Sequence, residues 1–434
     1  MRGKYLFLCQ IRQKRGFHEM THLLRWARHP AVFAALLAFD LALVVSTVFT
    51  FHPEAGNRYL LDLDVYRTGA RVWLDGGDLY ADLPLLAGFT LPFTYPPFAA
   101  AVLAPLTLPP LWVANTLLTV VSAVVMAGST MLVARALGAP RRYWSVLAVA
   151  TVPFTLVFEP MRSNVAAGQI NPLLLLLVVV DCLVLTPSRY RGALVGIAAA
   201  VKLTPAAFIL FFLLKRDRRA ALNAVLSFVA CSGIGFLCAP VDSWRFWTEV
   251  LYQTNRVGGP VFTANQSITG VLARFDVPPL LHTGLWLGLG AVVVGLAVVG
   301  IGKALAEGQT TLALALTALV PLLCSPISWS HHWVWAVPLV LALGVAGWRA
   351  RPPLVLAISG MTLFTLGAHW WFPATGDVER TWPLWQQLVG SGYTYWGFAV
   401  LGCAAAGLLV PKPHVHATHP AVPLAAVRES RHTP

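Results

Sequence analysis

The sequence predicts an all-α, polytopic membrane bundle of about 10–12 transmembrane helices. Three observations carry that prediction. Of 434 residues, 57% are hydrophobic and only 11% are charged, whereas a soluble domain carries about 25% charged residues. Runs of about 20 apolar residues, the length that crosses a bilayer, recur along the whole chain. The basic residues cluster in short linkers between those runs, the pattern that orients spans. The net charge of +13 is therefore a topology signal. No basic stripe interleaved with aromatics appears, so no nucleic-acid partner is expected.

Residues 1–30 form a basic N-terminus with Arg2, Lys4, Arg12, Lys14, Arg15, Arg25 and Arg28. No small-residue cleavage site follows the next apolar run, which reads as an uncleaved first span. Met20 is an alternative start. Apolar runs follow at 31–51, 94–108, 111–137, 143–159, 169–186, 192–214, 219–238, 282–303, 310–324, 331–348, 353–371 and 393–410. They make 31–410 one transmembrane domain. The tail 411–434, rich in Pro, His and Ala, reads as disordered cytoplasm. The six cysteines, Cys9, Cys182, Cys231, Cys238, Cys324 and Cys403, form no CxxC and read as small packing residues.

The linkers with Arg135/Arg141/Arg142, Arg189/Arg191, Lys215/Arg216/Arg218/Arg219, Lys303 and Arg349/Arg351 are expected inside. With the N-terminus also inside, two conditions follow. Run 94–108 must not cross fully. Run 192–214 must go in and come back, broken near Lys202-Leu203-Thr204-Pro205, where proline disrupts the helix. Twelve full spans would instead place Arg141, Arg142, Arg189 and Arg191 outside. The preferred scheme puts the loops 52–93, 160–168, 239–281, 325–330 and 372–392 on the extracytoplasmic side of a plasma membrane. The polar motifs converge there, which points to a site on that face.

The first of these loops holds Leu61-Asp62-Leu63-Asp64-Val65-Tyr66-Arg67. A carboxylate among apolar neighbours at the membrane boundary is partly desolvated, which raises its pKa toward that of a useful base. Helix capping, or pairing with Arg67 or Arg71, is the plainer role. Asp75-Gly76-Gly77-Asp78 is a turn. Thr94-Tyr95-Pro96-Pro97 starts a helix. Arg162, Ser163 and Asn164, then Gln169-Ile170-Asn171-Pro172, offer groups that bind hydroxyls or phosphate, or that cap helices. Lys202 inside an apolar run invites an anionic lipid phosphate, unless it snorkels to the interface. Ser325 to Trp333 carries His331-His332, suited to a phosphate or a proton in transit, among tryptophans that also serve as anchors. Two adjacent histidines make a poor metal site. Asn265-Gln266-Ser267 matches the glycosylation sequon.

This series of motifs, in this order, resembles the actinobacterial polyprenol-phosphate-mannose-dependent α-1,2-mannosyltransferases, from about residue 31 to 350. The resemblance implies the C-type, multi-spanning glycosyltransferase fold. It implies a polyprenyl phosphate mannose donor, and a phosphatidylinositol mannoside or lipomannan acceptor used at the extracytoplasmic face. The family's catalytic carboxylate falls on Asp64, with Asp62 the other candidate. Its phosphate-side histidine falls on His331 or His332. Lys202, Arg162, Arg256 and a histidine would steady the departing phosphate, so no metal and no cofactor is expected. Asn164, Gln169, Asn171, Asn265, Gln266 and Tyr66 complete the expected binding residues. Other readings are a transferase of different sugar specificity, a lipomannan or lipoarabinomannan branching enzyme, a lipid-linked sugar flippase, or a structural subunit. Flippases usually show paired broken helices, and here one break stands out.

Overall fold

A computed structural model describes residues 29–50, 60–84, 90–347 and 350–410. The basic segment 1–28, residues 51–59 and 85–89 around the first loop, residues 348–349 with the linker's Arg349, and the tail 411–434 lie outside the described residues. Among the described residues, six helices are long and apolar enough to cross a membrane: Pro30–Thr47, Leu111–Ala136, Arg218–Cys238, Pro279–Ala306, Ser330–Gly347 and Arg351–Trp371. Four shorter apolar helices stand beside them among the described residues: Pro97–Thr107, Asn171–Val184, Thr204–Leu214 and Thr310–Cys324. The helical membrane bundle predicted from composition is thus the architecture. A two-stranded antiparallel ribbon, Asp82–Pro84 with Thr90–Pro92, is a local addition that the sequence did not signal.

The two segments that the orientation scheme singled out behave unlike spans. Pro97–Leu103 and Ala104–Thr107 hold 7 and 4 residues. Together they rise about 18 Å, well short of the ~30 Å hydrocarbon core. Run 192–214 is broken as expected. Helix Ala193–Val201 stops at Lys202, whose backbone is extended at φ −147°, ψ 123°. A 3-10 turn, Thr204–Phe208, and helix Ile209–Leu214 follow.

Packing shows that this segment returns to the side where it began. Gly192 lies against Ala220, and Gly196 against Ala224 and Ser227 of helix Arg218–Cys238. The outgoing half therefore runs parallel to that helix, and the chain between them must come back. Its base is tied by Arg191 Nη1 to Asp217 Oδ2 at 2.8 Å. Buried Asp181 accepts from the Gly192 and Val195 amides at 2.5 and 2.8 Å, satisfying the helix start. Lys202 sits at the apex of this hairpin.

The core has two parts. One is built around Leu63, Tyr66, Phe93, Tyr95, Val201 and Phe246. The other, larger part includes Phe158, Leu319, Trp333 and Tyr393. Gly168 helps join the first part to the site. It ends helix Glu159–Ala167 in the left-handed region, at φ 72°. A Cβ there would come 2.5 Å from Leu63 Cβ. Gly168→Ala is expected to cost about 2–4 kcal/mol through left-handed strain and overpacking, read as a lower Tm.

Candidate active site

The stretch around Asp62 is a helix, Leu61–Leu74, where the sequence suggested an acidic loop. That changes the meaning of the Asp-Leu-Asp spacing. Two positions apart on a helix is roughly 200° around its axis, so the carboxylates face opposite ways. Leu61, Asp62 and Val65 line a cavity of about 840 Å³. Asp64 is not among its lining residues and is only 2% exposed. It accepts from Thr68 Oγ1 at 3.2 Å, and its charge partly offsets the burial and the Arg71 charge that disfavour the Arg67 guanidinium. The plainer role foreseen for these acids, a partner for Arg67, fits the position of Asp64.

Burial pushes the Asp62 pKa up to about 6, against the pull of a Gln169 hydrogen bond and the Lys202 charge. Gln169 reaches the cavity because Gly168 turns the chain there. Its Oε1 accepts from Tyr66 Oη at 2.6 Å and from Lys202 Nζ at 3.4 Å. Tyr66 and Tyr95 hydroxyls pair at 3.2 Å. Tyr66, one turn beyond Asp62, thus ties the acidic helix to Gln169.

Lys202 is held on several sides. Nζ donates to Asn171 Oδ1 at 2.9 Å and lies 5.6 Å from the centre of the Tyr95 ring. It also lies 3.2 Å from His332 Nε2. An ammonium has no lone pair, so His332 accepts at Nε2 and carries its proton on Nδ1. Asn171 Nδ2 donates to the His331 carbonyl at 3.0 Å and to Asn164 Oδ1 at 3.1 Å. Asn164 in turn donates to the Gln169 carbonyl at 3.0 Å. One hydrogen-bonded chain therefore runs from Tyr66 to both histidines. His331 also lines the cavity, and its buried Nε2 has no hydrogen-bond partner. Of the two rings, His331 is the one whose Nε2 is not engaged by Lys202.

Sequence reasoning missed what braces the histidines. Glu159, 3% exposed, accepts from Ser330 Oγ, Trp370 Nε1 and Tyr393 Oη, each at 2.7 Å. His369 Nε2 lies 3.5 Å away. Burial pushes the Glu159 carboxyl up, but His369 and the hydrogen bonds outweigh it and hold the pKa at about 2. This fixed anion anchors the start of the histidine turn and the cavity residue Trp370. The only signal in the sequence was a lone acid closing an apolar run before Pro160.

Other expected binding residues stand apart from the cavity. Arg162 is exposed and donates to the Thr365 carbonyl at 3.2 Å. Asn265 and Gln266 are fully buried and bind backbone instead. Asn265 Nδ2 donates to Pro260 and Pro326 carbonyls at 3.1 and 3.2 Å, and its Oδ1 accepts from Ser328 N at 2.9 Å. Gln266 Nε2 donates to Thr263 and Gly390 carbonyls at 2.8 and 2.7 Å. Asn265 joins its loop to the histidine segment, Gln266 ties it to Gly390, and a buried Asn265 is closed to glycosylation. Arg256 does line the cavity, with Nη2 on the Tyr80 carbonyl at 2.6 Å.

The cavity therefore combines a carboxylate that takes up protons near neutral pH with an ammonium and a spare imidazole nitrogen. That set suits removal of a hydroxyl proton beside a departing anion. Comparison with known proteins places the chain in a family. Residues 93–326 match the model of glycosyltransferase family 87. The chain is 40% identical to the polyprenol-phosphate-mannose-dependent alpha-(1-2)-phosphatidylinositol mannoside mannosyltransferase of Mycobacterium tuberculosis, over 81% of this chain and 85% of that one. Its counterpart in Mycolicibacterium smegmatis is 38% identical, over 79% and 83%. An M. tuberculosis protein named for a phosphatidylinositol pentamannoside is 33% identical, over 86% and 87%. Among solved structures, ArnT from Cupriavidus metallidurans bound to undecaprenyl phosphate aligns at 16% identity and a TM-score of 0.39, covering 85% of this chain and 77% of that one. The chain belongs to glycosyltransferase family 87.

Proposed function

We propose that this enzyme transfers mannose from polyprenyl phosphate mannose to a hydroxyl of a phosphatidylinositol mannoside, forming an α-1,2 bond. The observation that carries this reading is the shared cavity of Asp62, Lys202 and His331. The names of the relatives support the donor and the acceptor. Identity of 40% and 38% to the phosphatidylinositol mannoside enzymes, against 33% and 35% to the pentamannoside enzymes, favours the former acceptor.

Asp62 is the general base, in place of Asp64, which the sequence favoured. It takes the proton of the acceptor's 2-hydroxyl as that oxygen bonds to C1 of the donor mannose. The bond from C1 to the phosphate oxygen breaks, and polyprenyl phosphate leaves with the electron pair. Lys202 and the free Nε2 of His331 stabilise the charge that gathers on that phosphate. A phosphate needs no protonation to depart, so one base suffices. A single displacement turns a β-linked donor into an α-linked product.

The hairpin supports one side of the membrane for the reaction. Lys202 faces the cavity at its apex, while Arg191, Lys215, Arg218 and Arg219 gather at its base. Basic linkers tend to stay in the cytoplasm, which supports a reading with the cavity on the extracytoplasmic side of the plasma membrane.

Purified chain in detergent should convert polyprenyl phosphate mannose and a phosphatidylinositol mannoside into a product with one more α-1,2-linked mannose. Donor left intact with every acceptor of a mannoside panel contradicts the proposal and favours a flippase. The pH profile adds an independent check. A base with a pKa of about 6 is protonated and idle below it, so kcat/KM should rise through about pH 6 and level above. A rate that is flat from pH 4.5 to 8 removes Asp62 from that role.

A further inference from the structure

Two phosphodiesters meet in the proposed reaction, one in the polyprenyl donor and one in the phospholipid acceptor. The cavity presents two separate cationic side chains, Lys202 and Arg256. Their settings differ. Lys202 already faces Asp62, Gln169, Asn171 and His332 at the apex of a hairpin inside the bundle. Arg256 has no carboxylate partner among the described residues. Its Nη2 is anchored on the Tyr80 carbonyl, and its buried Nε has no hydrogen-bond partner. Half-buried at a cavity wall with no carboxylate beside it, this guanidinium keeps donors available for an anion.

The wall that carries Arg256 also has a definite level in the membrane. Spanning helix Arg218–Cys238 ends, Ala239 breaks it, and helix Pro240–Thr248 begins at once. That second helix is amphipathic. Phe246 packs inward and lines the cavity, as do Val250 and Leu251 beyond it. Val241 and Trp244 point outward, 79% and 67% exposed, as does Tyr252 at 72%. Apolar and aromatic side chains presented outward just past the end of a span mark an interfacial segment at headgroup depth. A glycerophospholipid keeps its acyl chains in the bilayer and its phosphodiester at that depth, while its sugars extend beyond.

We propose that Arg256 binds the phosphodiester of the glycolipid acceptor, at a subsite distinct from the donor-phosphate site at Lys202. Planar guanidinium recognition of a phosphate suits this task. The subsite holds the acceptor by its phospholipid end, so that its mannose reaches Asp62. This assignment rests on the mannosyl transfer proposed above.

Steady-state kinetics with two acceptors test it: a phosphatidylinositol mannoside, and a neutral dialkylglycerol mannoside with the same terminal sugar. Arg256→Gln should raise the KM for the phospholipid acceptor about 10- to 100-fold, the loss of one or two hydrogen bonds to a charged group. The donor KM and the KM for the neutral acceptor should stay at parent values. Arg256→Lys, which keeps the charge, should fall between. A raised donor KM would reassign Arg256 to the donor. Equal losses with both acceptors would reduce it to a support for its loop. Binding of the phospholipid acceptor to parent and Arg256→Gln, measured without donor, reads the subsite even if no sugar is transferred. Equal affinities there overturn the subsite, whereas absence of transfer by the parent overturns the function proposed above.

Discussion

Asp62→Asn is expected to lower kcat for mannosyl transfer by about 10²–10⁴-fold, the usual worth of a positioned general base. It should not lower Tm. The folded-state pKa of Asp62 is raised, so its ionised form opposes folding at neutral pH, and a neutral amide removes that cost. Asp64→Asn should do the reverse. Asp64 lies off the cavity against Thr68 and Arg67, so its loss leaves a 4%-exposed guanidinium without its nearby anion. A fall in stability of about 1–3 kcal/mol, with kcat within about tenfold of the parent, is expected. Thermal unfolding beside single-turnover kinetics separates the two. If Asp64→Asn is the variant that loses kcat without losing Tm, the base has been misassigned.

Lys202→Gln should be nearly as damaging, by about 10²–10³-fold in kcat/KM, comparable to removing one preorganised oxyanion donor. The donor KM should rise with it. A second signature separates this from a general disturbance. The Lys202 charge pulls the Asp62 pKa down from where burial would leave it. Without that charge, the acid limb of the residual rate should move above pH 6. Lys202→Arg, which keeps the charge, should leave the limb nearly in place. An unmoved limb in Lys202→Gln would mean that the two residues do not share one site.

The bundle was readable because hydropathy and positive linkers are written residue by residue. The hairpin at Lys202 was readable because a basic residue and a proline interrupt an apolar run. The choice between Asp62 and Asp64 was not, because it depends on whether that stretch is a loop or a helix. In a helix two residues apart is a half-turn, and only one acid can face the cavity. The choice between His331 and His332 depends on a contact 130 positions away, where Lys202 engages the His332 ring. Glu159 was invisible for the same reason, since its partners Ser330, His369, Trp370 and Tyr393 are brought together by folding. Asn265 and Gln266 look like ligand-binding amides in the sequence. In the fold, backbone carbonyls take them first.

The most direct test of the account is a cryo-EM structure of Asp62→Asn with polyprenyl phosphate mannose and a phosphatidylinositol mannoside bound. The donor phosphate should lie within hydrogen-bond reach of Lys202 Nζ and His331 Nε2, with an acceptor hydroxyl at the side chain of residue 62. A donor phosphate held elsewhere, or an acceptor hydroxyl at Asp64, would contradict it.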